Sequence, residues 1–316
     1  MSSSVTAEGL RLKRRGMSSR ERRHALYGYA FLSPWIVGFL AFTAVPIVGS
    51  IVLSFTRYSV LRPPEFIGLQ NFRHALLGGD DLLWPSIGRS FYYALLAVPA
   101  GLIVSLALAV LLNQNLRLTA MWRTFYFLPT LTPSVATAYV WSWLMNPEIG
   151  VFRLFFDFVG IPMPNWLGSV EWALPSLAII SVWSTAGGSS MIIFLAGLQD
   201  IPTELMEAAE IDGAGRWHKF WNVTVPLLTP VIFFNMVMGI IGALRVFGLA
   251  FVATGGGPAR ATWFISLHIY RTAFMYFDMG YAAAMAWILV AIIITLTMLQ
   301  FRLSERWVFY QGEVRG

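Results

Sequence analysis

Six stretches of this chain carry no charged side chain, and each is long enough to cross a bilayer: 31–55, 91–113, 124–145, 173–198, 225–244 and 280–301. A helix needs roughly 20 residues to span a hydrocarbon core about 30 Å thick. Within lipid every backbone polar group must be satisfied inside the segment, which favours helices. A membrane β-barrel would show strands of roughly 10 residues with alternating polarity, and no such alternation is present. One run of this kind could be the core helix of a soluble domain. Six of them, in a chain that is 57% apolar and 12% charged, exceed what a soluble core hides, since soluble domains carry roughly 25% charged residues. The expected fold is therefore an all-α integral membrane protein with about six transmembrane helices. Its expected parts are a basic tail (1–30), a first span (31–55), an external loop (56–90), a five-helix core (91–303) and a short C-terminal tail (304–316).

Arg11, Lys13, Arg14, Arg15, Arg20, Arg22 and Arg23 crowd the segment before the first run. Positive charge beside a span stays in the cytoplasm, and six crossings then place both termini there. Arg302, Arg306 and Arg315 agree, while Arg57, Arg62, Arg73 and Arg89 of the first external loop pull the other way. The net charge of +6 comes largely from the tail, which reads as a disordered or interfacial segment attracted to anionic lipid headgroups. No folded basic patch invites nucleic acid. The first run is too long for a signal-peptide core and lacks a convincing cleavage site, so it is expected to be retained. The chain has no cysteine, hence no disulfide framework, thiol chemistry or Cys-based metal site.

On this topology the loops 56–90, 146–172 and 245–279 face outward, and 114–123 and 199–224 face inward. The inward loop 199–224 is richer than a connector requires. Asp200 and Pro202 suit a helix start, and Glu204 favours the positive end of its dipole. Leu205, Met206, Ala208 and Ala209 are good helix formers. After Asp212, Gly213 can take a positive φ and turn the chain. A second short helix is expected from Ala214 to Asn222, with Trp217, Phe220 and Trp221 on one face. Such a loop can lie on the membrane as an amphipathic segment, or it can dock a soluble partner.

The residues Glu207-Ala208-Ala209, three more, Gly213, nine more, then Val223-Thr224-Val225-Pro226 resemble the EAA signature of the membrane subunits of bacterial ABC importers. Val223 and Val225 stand where Ile and Leu are usual. Phe66-Ile67-Gly68-Leu69-Gln70-Asn71-Phe72, Thr254-Gly255-Gly256-Gly257-Pro258 and Gly280-Tyr281-Ala282-Ala283-Ala284 are similar to elements of the carbohydrate-uptake permeases, the maltose-type family, with Ala283 where Ser is common. The resemblance runs from the first span to the last. It implies a permease subunit of an ATP-driven sugar importer that forms half of the pathway. The implied partners are a second homologous permease, two ATPase subunits and an extracytoplasmic solute-binding protein, with a sugar as substrate. It further implies that the loop 199–226 docks in the ATPase. Glu207 would pair with a basic residue there, Ala208 and Ala209 would permit close approach, Gly213 would make the turn, Pro226 would open the fifth span, and Asp212 counts with them among the ATPase-coupling residues.

No Gly-rich loop with a following Lys and Ser/Thr is present, since the lysines are Lys13 and Lys219 alone. The chain therefore lacks a phosphate-binding loop. ATP and Mg are expected on the partner ATPase, no cofactor is expected here, and this subunit is expected to be non-catalytic. Within the fourth and fifth runs, Trp183, Ser189, Asn235 and Arg245 are path candidates. Trp183 could stack on a sugar ring or simply pack. Ser189 sits in a small-residue stretch, 184–190, that equally suits close helix contact. Asn235 could bond a neighbouring helix, and Arg245 could snorkel.

Two other classes compete. A secondary transporter or passive pore for a small polar solute would dispense with ATP, but no run contains an Asp or Glu to couple protons. An intramembrane serine protease would need a histidine base at the depth of Ser189, and His24, His74, His218 and His268 all lie outside the runs.

Overall fold

The computed structural model describes residues 19–60, 62–114 and 117–309. Arg11, Lys13, Arg14, Arg15 and Arg315, on which part of the orientation argument rests, lie outside the described residues. The chain divides into two units, Met1–Val52 and Leu53–Gly316.

In the first unit, α1 (Ser19–Phe39), a π-turn (Leu40–Ala44) and the start of α2 (Val45–Ser54) follow one another, and Arg22–Ser54 makes a span of 33 residues. Its large apolar side chains, among them Phe31 and Phe42, are exposed, as suits a helix solvated by lipid. The helix starts well before 31, so Arg20, Arg22 and Arg23 belong to it rather than to a disordered tail. A hydropathy run marks only the apolar part of a helix, and polar turns added before it leave no trace.

The second unit opens with a hairpin of β1 (Thr56–Ser59) and β2 (Arg62–Phe66), in which Thr56 pairs with Phe66 and Arg57 with Glu65. After α3 (Gln70–Leu76) comes α4 (Leu83–Leu112), then α5 (Thr119–Leu131), α6 (Ser134–Leu144), α7 (Val151–Val159), α8 (Val170–Thr185) and α9 (Ser189–Gln199). The chain continues through α10 (Thr203–Ile211), α11 (Arg216–Lys219), a second π-turn (Phe220–Thr224), α12 (Val225–Leu244), α13 (Gly248–Ala253), α14 (Ile265–Phe274) and α15 (Met279–Ser304).

The segment 56–90 is thus folded, and its last eight residues already belong to α4, with Arg89 inside that helix. The Phe66–Phe72 motif explains itself here. Asn71 Nδ2 donates to the carbonyls of Ser54 and Thr56, each at 2.9 Å, and so ties α3 to the end of α2. In the Thr254–Pro258 loop the Thr254 and Thr262 hydroxyls meet at 2.6 Å, and Arg271 donates to the Gly255 carbonyl at 2.6 Å.

Of the six runs, four form unbroken spans: Arg22–Ser54, Leu83–Leu112, Arg216–Leu244 and Met279–Ser304. The fourth run is a bent pair, α8 and α9, meeting at 53°. The third run divides into α5 and α6. Thr132 and Pro133 take extended conformations between them, because the residue before a proline is driven out of the helical region. Helix α4 is the hub of the unit. It packs against α8, α9, α12 and α14, with Tyr93, Leu177 and Phe264 in one buried cluster and Leu112, Phe194 and Leu228 in another.

Candidate functional site

Three places stand out. The first is the turn after α10. Glu204 lies in its first turn. Its end is closed by two backbone bonds, Ala214 N–H to the Ala209 carbonyl at 2.9 Å and Gly213 N–H to the Glu210 carbonyl at 3.0 Å. This is the Schellman pattern, which places its turn residue in the left-handed region, and Gly213 has φ +80°. Lys219 then pairs with Glu210 across the turn, and that bond holds the Glu210 carboxyl below its ordinary value. No residue of α10 is buried. Glu204, Glu207, Ala208 and Ile211, at helical spacing, form one exposed face, with Ile211 87% and Trp217 76% exposed. Among the described residues Glu207 has no ion-pair partner.

The expected second short helix, Ala214 to Asn222, is instead the first part of a continuous span, Arg216–Leu244. Pro226 lies within that span near the start of α12 and does not open it. Proline at the first positions of a helical segment breaks little, and here the preceding π-turn accommodates it.

The second place is a crevice of about 390 Å³ between α4, α8, α9 and α12. Its polar lining comes from Tyr93, Ser105, Ser181, Thr185, Ser190 and Asn235. Asn235 is buried, and its Nδ2 donates to the Val231 carbonyl at 3.0 Å. A neighbouring hollow shares Tyr93, Ser181, Thr185 and Val246 and continues toward α5 and α6. Of the four path candidates, Asn235 alone lines the crevice. Ser189 is exposed elsewhere, and Ser190 takes its place. Trp183 packs edge-on against Trp141 at 5.4 Å and faces a separate hollow beside Tyr126. Arg245 is exposed at the end of α12. Ser181 and Thr185 were legible as one helix turn apart. Their meeting with Tyr93 depends on α4 crossing α8, which no local pattern reveals.

A third group escaped the sequence entirely. Asp80 Oδ2 accepts from His268 Nε2 at 2.8 Å and from the Tyr281 hydroxyl at 2.7 Å, while Oδ1 accepts from the N–H groups of Leu82 and Leu83. It joins the start of α4 to α14 and α15. Burial pushes the Asp80 carboxyl up, but the bonds from His268, Tyr281 and Leu82 outweigh it and hold the group below its ordinary 3.8. A carboxylate so lowered contributes stability above the ordinary carboxylate pKa, and that contribution is lost as pH falls through the lowered value. Asp80→Asn leaves one acceptor oxygen for four donors. It is expected to cost about 2–3 kcal/mol at neutral pH, and to flatten the loss of stability that sets in as pH falls past the ordinary 3.8 toward the lowered value. Thermal unfolding in detergent as a function of pH checks both.

Residues 97–310 match the family model described as the binding-protein-dependent transport system inner membrane component. The probable ABC transporter permease protein YesP of Bacillus subtilis is 43% identical, over 92% of this chain and 94% of its own. The trehalose/maltose transport system permease protein MalF of Thermococcus litoralis is 33% identical, over 83% and 87%. A crystal structure of a bacterial alginate ABC transporter, in complex with alginate pentasaccharide-bound periplasmic protein, contains a chain of the same fold. The TM-score is 0.78 at 22% identity, covering 91% of this chain and 96% of that one. The folded spans, the exposed turn after α10 and these likenesses meet in one conclusion: the chain belongs to the family of inner membrane components of binding-protein-dependent transport systems, and is a permease subunit of an ABC importer.

Proposed function

We propose that this subunit imports a sugar or sugar derivative, with both termini and the turn after α10 in the cytoplasm. A second permease completes the path, two ATPase subunits bind ATP and Mg, and an extracytoplasmic solute-binding protein delivers the solute. The observation that carries the reading is the α10 turn: a capped, largely exposed helix end with no buried residue. Glu207 is the ion-pairing group toward the ATPase. Ala208 and Ala209 let it approach, Asp212 and Gly213 hold the turn, and the span containing Pro226 carries the motion inward. The sugar assignment is supported by relatives named for trehalose/maltose, sn-glycerol-3-phosphate and sulfoquinovosyl glycerol transport.

The crevice lined by Asn235, Ser181, Thr185 and Ser190 is this subunit's share of the path. Hydroxyl and amide groups set among apolar walls suit a solute with many hydroxyls. The absence of native cysteine permits a clean test. In the assembled transporter, Ser190→Cys is expected to react with a small water-soluble thiol reagent and to be protected while solute is being transported. Ser189→Cys, facing elsewhere, is expected to show no such protection. Equal behaviour at the two positions would remove the crevice from the path.

A further inference from the structure

We propose that α7 is an interfacial helix that lies along the membrane surface, with one face in the boundary between headgroups and acyl chains. It therefore binds lipid and not another protein.

The inference starts from spacing. Val151, Leu154, Phe155 and Phe158 fall at i, i+3, i+4 and i+7, which is one face of a helix. All four are exposed, Leu154 at 71% and Phe158 at 89%. Val159 and Ile161 extend the exposed apolar surface past the helix end. The opposite face is already used. Phe152 packs edge-on against Trp141 at 5.8 Å, and Phe156 packs against Trp166 at 6.0 Å. Arg153 and Asp157 pair at 3.3 Å along the flank between the faces. A helix with one half-buried, packed face, one charged flank and one bare aromatic-aliphatic face lacks an occupant for the last.

The connections identify that occupant as lipid. Only the residues between Leu144 and Val151 separate α6, the end of the third apolar run, from α7. That link is fixed. Asn146 Oδ1 accepts from the N–H groups of Glu148 and Ile149, and Arg153 donates back to the carbonyls of Pro147 and Glu148. So α7 cannot leave the level at which α6 ends. The helices on either side of α7 carry exposed apolar and aromatic side chains too: Tyr139, Val140 and Trp143 on α6, and Val170 and Trp172 at the start of α8. Tryptophan and tyrosine gather at membrane–water boundaries because one end is apolar and the other polar. A short amphipathic helix held at that level buries its apolar face among lipids and leaves its charges at the headgroups.

The test uses the whole transporter reconstituted in lipid vesicles, with single cysteines at Leu154, Phe158 and Glu148 carrying a nitroxide. Collision with oxygen, which concentrates in lipid, is compared with collision with a water-soluble nickel chelate. The expected result is a high oxygen-to-nickel ratio at Leu154 and Phe158 and a low one at Glu148, which lies in the exposed turn. A ratio at Leu154 and Phe158 equal to that at Glu148 would place α7 in water and overturn the proposal. Protection of both positions from both colliders would overturn it as well, by showing that another subunit covers this face. The labelled sites are exposed and make no packing contact in the core, so each variant is expected to assemble, and uptake by each checks that it has.

Discussion

Gly213→Arg and Glu207→Ala are each expected to abolish most solute uptake while leaving the subunit folded and in the membrane. The two act differently. Gly213 has φ +80°, where an L-residue costs about 1–2 kcal/mol, yet a Cβ there meets nothing within 4 Å. The turn therefore survives a side chain sterically but is pushed from its left-handed geometry, and arginine adds bulk and charge on the face proposed to meet the ATPase. Glu207 is exposed and has no ion-pair partner among the described residues. Removing a charge-assisted hydrogen bond at an interface costs about 1.5–3 kcal/mol, which weakens docking by about ten- to a hundredfold. Glu210→Ala is the control. Its carboxylate serves Lys219 inside the loop, so a much smaller loss is expected. The measurement is uptake together with ATP hydrolysis stimulated by solute-loaded binding protein; the expected signature is loss of both at normal membrane levels of the subunit.

Gly187→Val is expected to prevent accumulation of the folded subunit. At the break between α8 and α9, a Cβ on Gly187 would sit 1.9 Å from the Tyr126 carbonyl oxygen of α5. The obstacle is backbone, which cannot rotate away as a side chain can. Forcing atoms into such a contact costs about 3 kcal/mol or more, a large share of the stability of any domain. Even Gly187→Ala carries the clash. Gly88→Ala, on α4 where a Cβ meets nothing within 4 Å, is the matched control, and helix propensity makes it neutral or better. Thermal unfolding of each variant, purified in mild detergent, reads the difference.

These two sites show what the chain discloses in advance. The long apolar runs announce spans because lipid admits little else, and the Gly213 turn announces itself because few residues tolerate its backbone. The bend at Gly187–Gly188 was visible only as small residues, which fit close packing and helix breaking equally well. Its meaning came from Tyr126 and Thr130 on another helix. Pro226 looked like a helix opener because a proline usually is one, but the π-turn before it let the span begin ten residues earlier, at Arg216. The Asp80–His268–Tyr281 cluster joins positions 188 and 201 residues apart, and nothing local marks any of the three. Arg89 was placed in a loop because charge was read as a boundary, although it lies near the end of a helix where such a side chain is tolerated.

The most direct measurement is the subunit composition and activity of the complex extracted in mild detergent from its own cells with this chain tagged. The account predicts a second six-run permease and an ATPase dimer in the purified material, ATP-dependent uptake after reconstitution, and loss of the ATPase from the Glu207→Ala and Gly213→Arg preparations. Recovery of this chain alone, carrying solute without ATP, would contradict it.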